Sequence, residues 1–314
     1  MATSASLLNQ SRLSPHNNEE SFKYKLNCQS KIDTDVDNPE TKEWLQLQSK
    51  IKHMSSDYKL FRGLLDKTKS IVVKIGSDKL VYEYSIGEIL DKLNLPTFLS
   101  FNCMFSCNDD FKSLDSKSIN NNTANRKYLC KKDGDKLVIL VMPNVKLGAI
   151  YTYEWQTNNF KILQNILKHI VMSMLYSRYT LGFVHGDLHK DNVLLKKTTR
   201  KTLLYGELGS LDVLGYIPII MDYDKSFIKS TMEINDKDVY DDVFRIIIGL
   251  CQDTNTVFDT ANIITLIQNY SKTKTIISKE ICEALCNEID KFTIRYIKSE
   301  VELKFKELFN KSKH

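Results

Sequence analysis

The sequence predicts an α+β fold in which a β-rich part precedes a mainly helical one. Three observations predict it. Ser70-Ile71-Val72-Val73-Lys74-Ile75 is a run rich in β-branched residues, as a half-buried strand requires. Asp133-Gly134 is a tight-turn signal placed just before the apolar run Leu137–Met142. Phe160, Leu163, Leu167, Ile170 and Met174 recur at intervals of three and four, and Gly182 follows as a helix stop. Strands therefore come before long helices rather than alternating with them, which is the order of an α+β chain.

Each element is read in turn. Residues 1–43 are polar, with few apolar positions to offset the entropy of ordering, and read as a flexible tail. Trp44, Leu47, Ile51 and Met54 stand at helical spacing and predict a short helix over 44–54. The strand at 70–75 follows. Val81–Leu90 then has a helical pattern, with Ser77 or Asp78 as its N-cap and Leu95-Pro96 as its stop. Thr97–Cys107 reads as a strand and residues 108–127 as a polar loop. The turn at Asp133-Gly134 predicts a hairpin of Tyr128–Lys131 with Lys136–Met142. The long helix spans 158–181, and further helices are expected at 238–250, 257–269 and 279–310.

Composition excludes several classes. Of 314 residues, 42% are apolar and 26% charged, values ordinary for a globular protein. A net charge of +5 from 44 basic against 39 acidic residues is too diffuse to argue for nucleic acid. No stretch approaches ~18 uninterrupted apolar residues, so no membrane span is expected, and the N-terminus lacks the apolar core of a secretion signal. The seven cysteines follow no framework or zinc spacing and read as buried free thiols of a reducing, cytoplasmic compartment. Lys196, Lys197, Arg200 and Lys201 form the densest basic cluster; it reads as a solvated hairpin, with steering of an acidic substrate as the alternative.

The chemistry is concentrated in Val184-His-Gly-Asp-Leu-His-Lys-Asp-Asn-Val-Leu-Leu195. His185, Asp187 and Asn192 stand in the order His-x-Asp-x-x-x-x-Asn, followed at once by a strand-like apolar run. Ile217-Pro-Ile-Ile-Met-Asp222-Tyr-Asp-Lys-Ser226 is a second island, an apolar run ending in an aspartate and an aromatic residue. The first island resembles the catalytic loop of the protein-kinase-like superfamily, and the second its metal-binding Asp-Phe-Gly with Tyr223 in the Phe position. The resemblance covers residues 58–250 or so. Within the superfamily it is nearest to the divergent kinase-like proteins of large cytoplasmic DNA viruses, on the residues Glu83–Pro96, Asp222–Asp224 and the insert Thr202–Tyr216.

That resemblance implies a bilobal fold: a β-rich small lobe with one helix (44–145) and a mainly helical large lobe (146–314), joined at Pro143–Gly148. It implies ATP and Mg²⁺ as cofactors. Asp187 would take the acceptor's hydroxyl proton, with His185 supporting the loop from beneath, while Asn192 and Asp222 would hold the metal. Lys74 would hold phosphates, positioned by Glu83 or alternatively Glu88. Met142 and Asn144 would border the adenine, and Asp238 would brace the catalytic loop in competition with Asp241 and Asp242. The implied activity is a protein Ser/Thr kinase, acting in the cytoplasm (the host's, or a virion, if the protein is viral), with a protein substrate and neither nucleic acid nor membrane as partner.

The departures keep two other readings open. Gly63 is the only glycine between residues 1 and 75, so no glycine-rich phosphate loop precedes Lys74. Gly186 stands where many protein kinases carry arginine, and His189 where a phosphate-steadying lysine is usual; Lys190 is offset by one. Thirty residues separate Asn192 from Asp222, the insert Thr202–Tyr216 reading as an added hairpin, and about 13 lie between Asp224 and Asp238. The string His-Gly-Asp-Leu-His also resembles small-molecule kinases of the aminoglycoside and choline type. A kinase fold kept as a binding scaffold is the third reading.

Overall fold

Hydrophobic alternation and helical periodicity assemble here into a mixed α+β chain organised on one five-stranded antiparallel sheet. A computed structural model describes residues 44–51, 57–109, 111, 129–130, 134–152, 159–229, 237–253, 256–258, 261–273, 277–292 and 294–296. The expected tail at 1–43, most of the polar loop at 108–127 and the end of the helix expected to 310 lie outside them.

The sheet comprises β1 (Leu45–Ile51), β2 (Tyr58–Leu65), β3 (Lys69–Gly76), β4 (Cys103–Asp109) and β5 (Asp135–Pro143), in the order β1-β2-β3-β5-β4. Side chains alternate between its faces. Ile71, Val73 and Ile75 are fully buried on one face, in a cluster with Phe61, Phe105, Ile139 and Val141. Such burial contributes roughly 1.5–3 kcal/mol per side chain. Lys74 and Leu140, paired across the ladder, take the other alternation. Leu140 and Met142 there join the core shared with helix α1 (Lys79–Asp91). In α1, Leu80, Glu83, Gly87 and Leu90 are buried at intervals of three and four, so the glutamate sits on the inward stripe. Asp78 is the N-cap residue, without a side-chain cap bond; the helix ends before Asn94, which is left-handed (φ 55°), and Pro96.

Several local expectations are corrected by long-range pairing. Of the helix expected at 44–54, Leu45–Ile51 is strand β1, and 52–54 lie outside the described residues. Its spacing of four between Leu47 and Ile51 also satisfies an alternation of two, and pairing with β2, through a bulge between Leu47 and Ser49, decides the matter. Gly63 serves that pairing, since a Cβ there would lie 2.7 Å from the Gln46 carbonyl oxygen. The strand expected at Thr97–Cys107 begins only at Cys103, and Thr97–Leu99 instead exchange backbone hydrogen bonds with Ile220. β5 pairs with β3 and β4; of the strand expected at 128–131 only 129–130 are among the described residues, and they are not in a strand. The segment 257–269 is split into β12 (Thr256–Phe258) and a helix, because Thr-Val-Phe suits a strand better than a helical turn. The helix expected over 279–310 stops at Asp290, and β13 (Ile294–Tyr296) returns to pair with β12. Nor are all seven cysteines free thiols: Cys107 of β4 and Cys130 form a disulfide across a Cα separation of 5.2 Å, while Cys282 and Cys286 are free and buried.

Beyond β5 the chain is mainly helical. α2 (Phe160–Leu181) is the core helix, closed by a left-handed Gly182 as its periodicity foretold. It delivers the chain into β6 (Phe183–Val184), the loop 185–192 and β7 (Val193–Lys197). β7 pairs with β10 (Tyr216–Ile220), and β11 (Phe227–Ile228) returns to β6. α3 (Lys237–Asp253), α4 (Ala261–Thr273) and α5 (Lys279–Asp290) complete this part. Among the described residues no helix is long and apolar enough to cross a membrane.

The insert between β7 and β10 forms the expected hairpin, β8 (Thr202–Leu204) with β9 (Ser210–Asp212), and it is fastened to α2. His169, fully buried, has Nε2 3.0 Å from the Asp212 carbonyl and Nδ1 2.8 Å from the Tyr205 hydroxyl. The carbonyl accepts only, so Nε2 carries the proton and Nδ1 accepts from tyrosine. Burial pushes the His169 pKa down to about 4. A depressed histidine stabilises the fold above its unfolded pKa near 6.5, and that stability is lost as pH falls from there toward 4. Wild-type melts should therefore lose up to about 3 kcal/mol over this window relative to His169→Gln. Parallel pH dependence in the two proteins would remove His169 from the acid response.

Candidate functional site

The two motif islands meet because the strands flanking them pair. Val193 lies opposite Ile220 in the β7–β10 ladder, and the Met221 N–H donates to the Asn192 carbonyl at 3.0 Å. Asn192 and Asp222, thirty residues apart, are thus brought to neighbouring positions just past the strand ends. Asn192 Nδ2 donates to the Asp187 carbonyl at 3.0 Å, which commits the amide nitrogen and leaves Oδ1 as the atom that could ligate a cation. One carboxylate and one amide oxygen suit a hard divalent cation. Among the described residues no group of three or more His, Cys, Asp or Glu side chains is arranged to hold a metal alone. The pair fits Mg²⁺ in the manner of sites completed by phosphate oxygens and water.

Lys74 is the electrostatic centre. Its Nζ lies 2.8 Å from Glu83 Oε2 and 2.6 Å from Asp222 Oδ1, and the ammonium sits 4.0 Å from the centroid of the Tyr58 ring. Of the two glutamates the sequence left open, Glu83 is the partner. Burial works against the Lys74 charge, but the two carboxylates outweigh it and raise the lysine pKa. Burial also pushes the Glu83 carboxyl up to about 7, against the pull of a lysine whose charge Asp222 shares. The Tyr58 hydroxyl is raised to about 12, first by burial and then by Asp222.

Asp222 has φ 67°, a left-handed backbone that a non-glycine residue adopts at a cost of about 1 kcal/mol or more. Tyr223 holds it there. Its fully buried hydroxyl accepts from the Leu99 N–H at 2.8 Å and lies 2.8 Å from the Ile220 carbonyl, to which it can donate. The aromatic residue of the motif thus anchors the strand end to the segment after α1.

The loop carrying Asp187 is braced from α3. Asp242, buried, accepts from the backbone N–H groups of His185 at 2.8 Å, Gly186 at 3.1 Å and Leu188 at 3.4 Å. The expected brace, Asp238, instead pairs with Lys229 at the surface. One helical turn separates the two aspartates, and only the register of α3 against the loop distinguishes them. His185, fully buried, has Nε2 2.9 Å from the Met221 carbonyl, so it donates from Nε2, and its Nδ1 faces the Asp187 N–H at 3.4 Å. Burial lowers its pKa and favours this neutral ring. Gly186 has φ 77°, and a Cβ there would lie 2.6 Å from the Lys225 carbonyl oxygen; close backbone approach, not only lost regulation, excludes arginine.

Two residues escaped the sequence reading. Lys225 Nζ lies 2.5 Å from Asp187 Oδ2, and Arg245 of α3 donates to the Gly186 carbonyl at 3.1 Å with NH1 4.0 Å from Asp187 Oδ1. Partial burial would raise the Asp187 carboxyl, but Lys225 prevails and holds it below the usual range. The ammonium paired with Asp187 thus comes from the second island, three residues after Asp222. His189 is 3.9 Å from Asp187 and caps the following turn through Asp191. Met142 is buried opposite Val72 in the sheet, and Asn144 Nδ2 donates to Ser70 Oγ at 2.9 Å.

No family model matches the chain. An uncharacterized protein, 098R, of Invertebrate iridescent virus 6 is 35% identical over 79 residues, 23% of this chain and 13% of its own length. The uncharacterized protein ZK177.2 of Caenorhabditis elegans is 27% identical over 92 residues, 28% of this chain and 31% of its own. The exocyst complex protein EXO70 of Candida albicans is 23% identical over 260 residues, 77% of this chain and 35% of its own. The matches thus cover about an eighth to a third of the relatives' own lengths.

Proposed function

We propose that this chain is an ATP- and Mg²⁺-dependent phosphotransferase of protein-kinase-like, two-lobed build, acting on a Ser or Thr hydroxyl of a protein in the cytoplasm. The observation that carries the reading is the Glu83–Lys74–Asp222 array, which joins α1, β3 and the end of β10 at 2.8 and 2.6 Å. Three separate elements supply it, and each contributes the residue type that the motif resemblance assigns. The sheet order with a single helix on one face also supports the reading.

In this mechanism Lys74, held by Glu83, is the cation for the nucleotide phosphates. Asn192 and Asp222 would hold Mg²⁺, which when bound offsets phosphate charge. Asp187 orients the acceptor hydroxyl and takes its proton as the new phosphorus–oxygen bond forms and the bridging bond to the leaving ADP breaks. A carboxyl held acidic by Lys225 is a weak base, so its work is chiefly positioning. Phosphoryl transfer needs little more, since positioning and charge stabilisation dominate it. On this reading Lys225 serves as the cation for the γ-phosphate, released from Asp187 as the acceptor arrives. Lys225→Ala should lower kcat roughly 10–100-fold with the melting temperature unchanged, and Lys225→Arg should restore part of it. Equal kcat in Lys225→Ala would exclude the role.

Autophosphorylation and transfer from radiolabelled ATP to generic protein acceptors, beside Asp187→Asn, test the proposal. Transfer to choline, sugars or aminoglycosides alone would favour the small-molecule reading, which Gly186 and the short segment between Asp224 and Asp238 keep in view. No stabilisation by Mg²⁺-ATP in a thermal melt would leave the scaffold reading.

A further inference from the structure

A cavity of about 1180 Å³ lies between the segment after α1, the connection after β5 and the β7–β10 hairpin. Its lining includes none of Lys74, Asp187, Asn192 or Asp222; it shares Asn144 and the connection Pro143–Leu147 with the surroundings of that site. Lys146, Lys196, Lys197 and Arg200 all line it and all are exposed. Asp91 is the one acidic residue in the lining, and it accepts a hydrogen bond from Ser100 at 3.0 Å. None of the four cations has an ion-pair partner among the described residues; Lys197 leans toward the Tyr216 ring, 5.9 Å from its centroid. Val145, Leu147 and Tyr216 line it as partly buried apolar surface on the core.

The basic cluster prominent in the sequence is exposed, as a solvated hairpin requires, and it also borders this cavity. Three of its four members border one cavity, and Lys146 borders it from a segment 50 residues earlier in the chain. Unpaired like charges gathered at one rim repel one another, a cost that an anionic occupant removes. The volume exceeds the roughly 300–1,000 Å³ of small-molecule pockets, and the apolar surface is unsuited to a bare anion. A peptide combining carboxylates with an apolar side chain matches both features.

We propose that this cavity is a docking site for an acidic peptide segment that carries an apolar anchor residue. The apolar side chain packs on Val145, Leu147 and Tyr216 while its carboxylates meet the four cations. The inference is independent of the phosphotransfer reading, because occupancy is measured without turnover. In a phosphotransferase the segment would belong to the acceptor protein and would recruit it away from the reacting hydroxyl.

The test is fluorescence anisotropy of the full chain with a short fluorescein-labelled peptide of Glu, Asp and Leu. Saturable binding is expected, weakened roughly tenfold or more in Lys196→Glu/Lys197→Glu/Arg200→Glu, and several-fold when the peptide's leucines are replaced by serine. Lys146→Glu, with its melt recorded, supplies the same reading should the triple variant unfold. Undiminished binding to these variants, equal binding of the leucine-free peptide, or tighter binding of a single-stranded RNA oligonucleotide would each overturn the proposal.

Discussion

Replacing Asp222 by alanine is expected to reduce transfer from radiolabelled ATP by at least ~10³-fold, to background. The carboxylate has two partners to lose: the cation it would share with Asn192, and Lys74 at 2.6 Å. Its left-handed backbone is already set by the Tyr223 anchor, so the site is organised before any ligand arrives. The fold should survive, because Lys74 keeps Glu83 at 2.8 Å. Asp222→Asn retains the side chain best suited to a positive φ and serves as the control for backbone effects. Unchanged turnover in Asp222→Ala would remove this residue from the mechanism and leave the array a structural ion-pair network.

The second large effect belongs to a residue that touches no reactant. Asp242→Ala should cost about 3 kcal/mol, because it strands three backbone N–H groups in and beside a buried loop at about 1 kcal/mol or more each. For a chain of this size that is a fall of roughly 4–6 °C in Tm. Transfer activity should drop with it even below the melt, since Asp187 is carried on the freed loop. Asp238→Ala, which removes only a surface pair with Lys229, should cost under about 1 kcal/mol. Equal melts for the two variants would show that the loop is braced elsewhere. Calorimetry of both proteins at one pH is sufficient.

The contrast between Asp238 and Asp242 shows where sequence reading lost its grip. Both stand in the first turns of the same helix, and both were candidates. Choosing between them needs the rotation of α3 against the loop, a packing quantity with no local signature. Lys225 was hidden for a related reason. It lies 38 residues from Asp187 in the chain, and its role depends on the fold returning the second island over the first. Strand β1 was misread because an apolar spacing of four fits both periodicities, and only a partner strand with a bulge resolves the ambiguity. The disulfide between Cys107 and Cys130 could not be read either, since a separation of 23 residues fits no spacing rule.

What the sequence determined alone is the set of short-range features: the strand around Lys74, the glutamate on the inward stripe of α1, the long helix ending at Gly182, the inserted hairpin, and the Asp187–Asn192 and Asp222 motifs. These are encoded within one or two turns or a few residues of strand, where propensity and periodicity act directly. Tertiary structure decided which carboxylates Lys74 meets, which aspartate holds the loop, that Lys225 pairs with Asp187, and that the basic cluster borders a cavity. Those outcomes depend on distances between segments far apart in the chain. Such distances are set by how the sheet and helices pack, and no local pattern of residues carries that information.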